Sequence, residues 1–219
     1  MDIGCGILAV WNDCAPGEEA GYEAWYLGEH LIERLSIPGF RWGRRYRRIA
    51  GASEALPEYM TYYEVDTPDV LNSDAYRARL NDPTPETRRI MTTVFQNMNR
   101  TICRRTFGAG AIRGGYAVAA VALGEAMLSM RDVSASAMPL LWCEGWQSAE
   151  PAGQDVSQEE ALRGGDSKIN ACALVECPSA DEAFDVAAKL EASVEVVVSV
   201  YQLTGSLHAS DLGSRSVSV

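Results

Sequence analysis

His30 is the first residue in this chain to suspect of chemistry. It is one of two histidines among 219 residues, and imidazole is the side chain whose unperturbed pKa lies nearest neutrality. Tyr26 and Tyr22 stand one and two turns before it on a helical reading, with Trp25 beside them. At about 100° per residue, the apolar wedge of that helix centres near Ala24, Leu31 and Leu35, and His30 lies off that centre. The expectation is a His–Tyr pair at the rim of a helix–sheet cleft. His30 would be the acid/base there and Tyr26 its hydrogen-bond partner. The plainer alternative is a solvent-facing histidine on a helix flank. Glu29 and Glu33 read as solvated charges.

A second set follows in the next strand, where Arg41, Arg44, Arg45, Arg47 and Arg48 crowd one segment of an acidic chain. Strand alternation places Phe40, Trp42, Arg44, Tyr46 and Arg48 on one face, and Arg41, Arg45 and Arg47 on the other. Arg44 and Tyr46 are the candidates to stabilise a developing anion; the other arginines read as surface charge. Tyr59 and Tyr63 share a face of a later strand, as do Trp142 and Trp146 of another. With Trp25 and Trp42, the tyrosines at 59 and 63 are candidate walls of an apolar pocket, against the plainer reading of core packing. The glycines around Gly108 and Gly114 do not open a helix after a strand, so there is no dinucleotide fingerprint. With His208 in a polar tail and no carboxylate–histidine cluster, no metal site is expected.

A net charge of −11 argues against nucleic acid or an anionic membrane as partner. No apolar run approaches the roughly 20 residues that span a bilayer, and the first residues do not read as a signal peptide. The six cysteines form no C-x-x-C pair and no zinc-ligand spacing. Reduced thiols in a cytoplasmic protein are the expectation.

The elements that must hold these residues repeat a plan. Ile3–Asn12 reads as a strand, Pro16–Leu35 as a helix, and Phe40–Ile49 and Tyr59–Val65 as strands. Thr67-Pro68-Asp69 starts a helix running to about Leu80, and Thr84-Pro85-Glu86 starts another ending near Asn97. Arg100–Phe107 closes the first half. After a glycine-rich joint the second half offers strands over Tyr116–Leu123, Pro139–Trp146, Ile169–Val175 and Val194–Leu203. Between them fall a short helix near Gly124–Met130, a polar stretch Gln147–Asp166, and a helix Ser179–Leu190 begun by a Ser179/Glu182 capping box. Two local matches at one offset suggest a duplication: Ile7–Val10 with Ala117–Ala120, and Val65–Pro68 with Val175–Pro178.

The predicted architecture is α+β: two ferredoxin-like β-α-β-β-α-β repeats, packed sheet to sheet as an intramolecular α+β barrel. The boundaries are 1–108 for the first repeat, 114–205 for a degenerate second repeat, and 206–219 for a polar tail.

With Trp25-Tyr26-x-x-Glu29-His30, Pro38-Gly39-Phe40 and the segment Arg41–Tyr46 in place, the first half resembles the EthD-like family of the dimeric α+β barrel superfamily. The second half resembles it by topology alone. Two residues depart from the pattern: Ile32 stands where many relatives carry proline, and the second half has no helical histidine. The resemblance implies an enzyme acting without a cofactor on a small apolar or aromatic metabolite, by lyase, dehydratase, isomerase or oxygenase chemistry. It also implies two alternatives, a haem enzyme with His30 as axial ligand and a non-catalytic ligand-binding or assembly protein. A homodimer of the fused barrel is a further expectation.

Overall fold

The computed structural model describes residues 4–122, 129, 133, 141–150, 155–193 and 195–213. In chain order the first half is β1 (Gly6–Cys14), a helix, β2 (Phe40–Arg48), β3 (Tyr59–Val65), two short helices and β4 (Phe95–Gly110). The first helix runs as α1 (Glu19–Trp25), a π-helical turn (Tyr26–His30) and α2 (Leu31–Leu35). The second half is β5 (Tyr116–Ala122), β6 (Trp142–Ser148), a short helix α5 (Gln158–Leu162), β7 (Ala171–Cys177), α6 (Ala180–Ser193) and β8 (Val196–His208). The helix expected over Gly124–Met130 lies almost wholly outside the described residues.

Eight strands close into one barrel in the order β1-β3-β2-β8-β5-β7-β6-β4, every pair antiparallel. Each half contributes the same four-strand arrangement, so the predicted ferredoxin-like order holds twice. The halves meet edge to edge, β2 on β8 and β4 on β6. Closure leaves no sheet edge for a foreign strand to extend.

Strand alternation sorts the core into layers. Ile7, Ala9 and Trp11 of β1 point into the barrel with Met60, Tyr62, Cys103, Ala119, Trp146, Leu174 and Tyr201. Leu8 and Val10 point outward beneath the helices of the first half, with Tyr22, Trp25, Tyr26, Tyr59 and Tyr63. A separate outer core lies under α6. No disulfide joins the six cysteines, five of which are buried.

Several boundaries differ from expectation for local reasons. The predicted helix from Thr67 to Leu80 is a 3₁₀ turn (Pro68–Asn72) followed by α3 (Asp74–Asn81). It restarts because Ser73 is extended and its side chain accepts from the Tyr76 amide. Thr84 caps α4 (Pro85–Thr93) as predicted, accepting from the Thr87 amide, but the helix stops at Thr93 and β4 begins at Phe95. β8 continues to His208 by pairing with β2, so the segment read as a polar tail starts inside the sheet. The polar stretch before β7 does contain a short helix, α5, capped by Ser157.

Strand register does not keep the two local matches at one offset. Ile7 faces Glu64 on β3, and Ala117 faces Glu176 on β7. Setting Ile7 on Ala117 places Glu64 on Glu176, whereas the match of Val65 with Val175 would place it on Leu174. On the middle strands Trp42 pairs with Glu64 and Trp142 with Glu176, making Arg44 the counterpart of Glu144.

Candidate functional site

The helix that carries His30 reaches its strands through two glycines. Gly39, at φ +89°, turns the chain from α2 into β2. At Gly43 a Cβ would lie 2.6 Å from the Leu31 Cδ1, so a larger residue would need the buried Leu31 side chain to give way. The π-turn then settles which way His30 faces. The Leu31 amide bonds to the Tyr26 carbonyl, five residues back, and the extra residue in that turn rotates His30 from the helix flank toward the sheet. A regular 100° wheel cannot register this, which is why the sequence reading left the ring near the rim.

His30 is buried, its ring 4.5 Å from Trp25 and 5.0 Å from Tyr26 between centroids. Its Nδ1 has no hydrogen-bond partner among the described residues. It lines a cavity of about 30 Å³ with Tyr26, Arg34, Tyr63, Tyr76, Arg100 and Glu159, enough for one or two waters. Tyr26 is not the hydrogen-bond partner expected for the imidazole. The Tyr63 hydroxyl donates to Tyr26 Oη at 3.4 Å, and the Tyr26 ring lies edge-on to His30. Trp25 donates to Thr87 Oγ1 at 3.3 Å and packs against the histidine with its ring tilted by 34°. Tyr59 is buried on the same layer, edge-on to Tyr22.

Arginines surround this nook. Arg34, one turn beyond His30, donates Nη2 to both oxygens of Glu159 at 2.5 Å, with both side chains buried. Glu159 comes from α5, so the second half closes the first half's nook. Arg45 is fully buried and sits 3.7 Å over the Tyr26 ring, also facing the rings of Tyr22 and Tyr59. Burial, and then the charges of Arg34, Arg45, Arg163 and Arg79, push the His30 pKa well below its ordinary 6.5. The imidazole is neutral at pH 7.

This shift sets a stability prediction. The unfolded chain takes up a proton on His30 below about pH 6.5, while the folded chain resists it. The contribution is complete above the unfolded pKa and is lost as pH falls from there toward the depressed folded value. Urea unfolding of the wild type should therefore lose up to about 1.4 kcal/mol per pH unit between pH 6.5 and 5 relative to His30→Gln. Parallel curves for the two proteins would contradict it.

Arg44 and Tyr46 lie elsewhere. A bulge between Phe40 and Trp42 shifts the alternation of β2. Phe40 joins Arg45 on the helix side, whereas Arg44 and Tyr46 point into the barrel. The sheet stands between them and His30, so these two predicted site residues and the imidazole do not share a site. Trp42 is half-buried near the barrel mouth, donating to Ser206 Oγ at 2.6 Å, with His208 edge-on to its ring.

The barrel end holds a closed network of charge. Arg105 donates to Glu64 at 2.8 Å and to Glu144 at 2.5 Å, and also bonds the Gly4 carbonyl. Glu176 accepts from the Gly114 amide at 2.6 Å and from Arg113 at 3.1 Å, and lies 3.5 Å from Arg44. Arg44 Nε donates to Tyr46 Oη at 2.9 Å, and Tyr46 in turn donates to Glu176 at 3.4 Å. Burial raises the Glu176 pKa, opposed by Arg44 and Arg113. Three glutamates balance three arginines.

Sequence reasoning missed Arg34, Arg100 and Glu159 of the nook and all three barrel glutamates, and it read the buried Arg45 as surface charge. Arg34 carried a usable signal, four residues after His30 on the same helix. Glu159 lies 125 residues from its partner in a polar stretch and carried none.

No family profile matches the chain, and no curated protein matches it. Among solved structures it resembles an anthrone oxidase-like protein, with a TM-score of 0.54 and 8% identity over 95% of this chain and 94% of that one. It also resembles a protein described as a candidate monooxygenase of Fusobacterium nucleatum (TM-score 0.47, 8% identity, 94% of this chain and 95% of that one). A third is the imidazole complex of chlorite dismutase from Candidatus Nitrospira defluvii (0.47, 10%, 97% and 94%). At these identities the likeness is one of fold: the chain is an α+β barrel closed from two ferredoxin-like halves.

Proposed function

We propose that this chain is an EthD-like enzyme of small-molecule metabolism that uses neutral His30 as a proton acceptor on an apolar or aromatic substrate. The observation that carries the reading is the buried imidazole whose Nδ1 lacks a partner on a cavity wall. An unsatisfied buried polar atom costs about 1–3 kcal/mol, so a purely structural residue would gain by being apolar. In the proposed step a substrate seated outside the nook gives up a proton from an acidic C–H or O–H to the imidazole through one of the waters the nook has room for. The electron pair stays on the substrate as an enolate or phenolate, held by the surrounding guanidinium charge. That anion is common to leaving-group expulsion, isomerisation and attack on dioxygen, and the likeness to an anthrone oxidase-like protein supports the last of these.

The same geometry does not suit haem on His30. The nook of about 30 Å³ is far below the roughly 300–1,000 Å³ of sites for larger ligands, and Trp25 and Tyr26 pack against the ring. The tightness of the nook favours a second reading, a non-catalytic binding or assembly protein on this fold. No described helix is long and apolar enough to cross a membrane, and a cytoplasmic setting and a homodimer of the barrel belong to the proposal.

The test is turnover of a panel of phenols, anthrones and β-keto acids by the wild type and His30→Ala. Loss of at least about 10²-fold in the variant is expected. Undiminished turnover in His30→Ala would remove the imidazole from the reaction, and a ligand recovered unchanged after prolonged incubation would favour the binding protein.

A further inference from the structure

Arg100, on β4, stands at the divide between two cavities. Inside is the His30 nook. Outside is a vestibule of about 120 Å³, walled by Leu71, Leu80 and Val156, with Arg77 and Glu160 among its polar residues. Arg100 lines both. It is buried, and its side chain donates Nη2 to Tyr76 Oη at 2.9 Å. Among the described residues no carboxylate lies within ion-pairing distance of it, whereas its neighbours Arg34 and Arg163 pair with Glu159 and Asp166. A buried guanidinium whose side-chain hydrogen bond goes to a neutral phenol bears a desolvation cost that the more distant Asp166 and Glu150 offset only in part and that a carboxylate in contact would offset further. Two polar atoms in the nook lack hydrogen-bond partners among the described residues, Arg34 Nη1 and His30 Nδ1.

We infer that the vestibule is a subsite for an aromatic carboxylate. The ring lies against Leu71, Leu80 and Val156, and the carboxylate turns inward onto Arg100 in charge-assisted hydrogen bonds. At about 120 Å³ the vestibule is smaller than an engineered cavity of roughly 150 Å³ that encloses benzene, but it opens to solvent, so a single ring can lie against its wall without being enclosed. Asp155 and Glu160 oppose an anion at the mouth, but Asp155 is exposed and Glu160 half-exposed, where solvent screens them. The inference deepens the proposed function by giving its substrate an anionic handle. It rests on that reading only for what happens after capture.

The experiment is calorimetric titration of the full chain with benzoate and, as the uncharged isostere, benzamide. Benzoate should bind at least about tenfold more tightly than benzamide. Arg100→Gln should lose at least about tenfold of the benzoate affinity, and Arg100→Lys should retain more of it than Arg100→Gln. Should Arg100→Gln fail to fold, Val156→Trp serves instead. Val156 is an exposed wall residue, so tryptophan there should block the vestibule without touching the core. Equal binding of the two probes, no benzoate binding by the folded wild type, or full benzoate affinity in both Arg100→Gln and Val156→Trp would each overturn the subsite. His30→Ala keeps benzoate affinity if the inference holds, whatever becomes of turnover. Lost benzoate capture alongside His30-dependent turnover would sink the subsite and spare the imidazole; the converse would do the reverse.

Discussion

Arg105→Met should cost about 3–5 kcal/mol, the penalty for removing one partner from a buried ion network. Arg105 holds two carboxylates at once, Glu64 at 2.8 Å and Glu144 at 2.5 Å, and both glutamates are buried. Without it, among the described residues, Glu144 retains Arg113 at 3.6 Å from one oxygen, and Glu64 retains the Gly4 amide at 3.0 Å. Two carboxylates inside a barrel then either stay charged without compensation or take up protons. Set against a typical domain stability of about 5–15 kcal/mol, the variant should unfold at much lower urea than the wild type. The triple variant Arg105→Met, Glu64→Gln, Glu144→Gln should recover most of the loss, because the charges leave together. A single variant with wild-type stability would show that solvent already reaches these carboxylates.

Arg45→Met should cost about 3 kcal/mol, by a different route. The guanidinium donates to Glu23 at 2.5 Å and to Thr61 at 3.1 Å, and lies within 5 Å of three tyrosine ring centres. Each desolvated cation–π contact contributes roughly 1–2 kcal/mol, and methionine replaces none of the hydrogen bonds. Glu23 is part-exposed, so water recovers some of its loss and the cost stays below that of a wholly buried pair. Arg45→Lys should fall between the two, since an ammonium keeps the charge but not the planar fork that reaches Glu23 and Thr61 together. Thermal unfolding of the three proteins gives the order; a Lys variant as stable as the wild type would remove the planar-fork argument.

These two arginines show where sequence reading stops. Arg45 was legible as a strand residue but was assigned to a solvent face. Alternation gives two faces without saying which is covered, and here the helix side is as buried as the barrel side. The bulge after Phe40 compounds this by moving Phe40 to the face opposite Trp42 and Arg44. Glu64, Glu144 and Glu176 were passed over because a lone glutamate in a strand has no local signature. Their partners come from other strands, so pairing across the barrel decides whether a carboxylate is a surface charge or a network member.

The one-dimensional pattern by itself determined most of the strands and helices, their order along each half and the aromatic character of the His30 helix. All of these rest on short-range periodicity and capping, which a linear chain carries. Tertiary structure alone decided that His30 turns inward, that Arg44 and Tyr46 lie across the sheet from it, and that Glu159 closes its nook. Those outcomes depend on one extra residue in a helical turn, one bulge in a strand, and contacts between residues more than a hundred positions apart. Each changes a side chain's direction or partner while leaving the local hydrophobic pattern almost untouched.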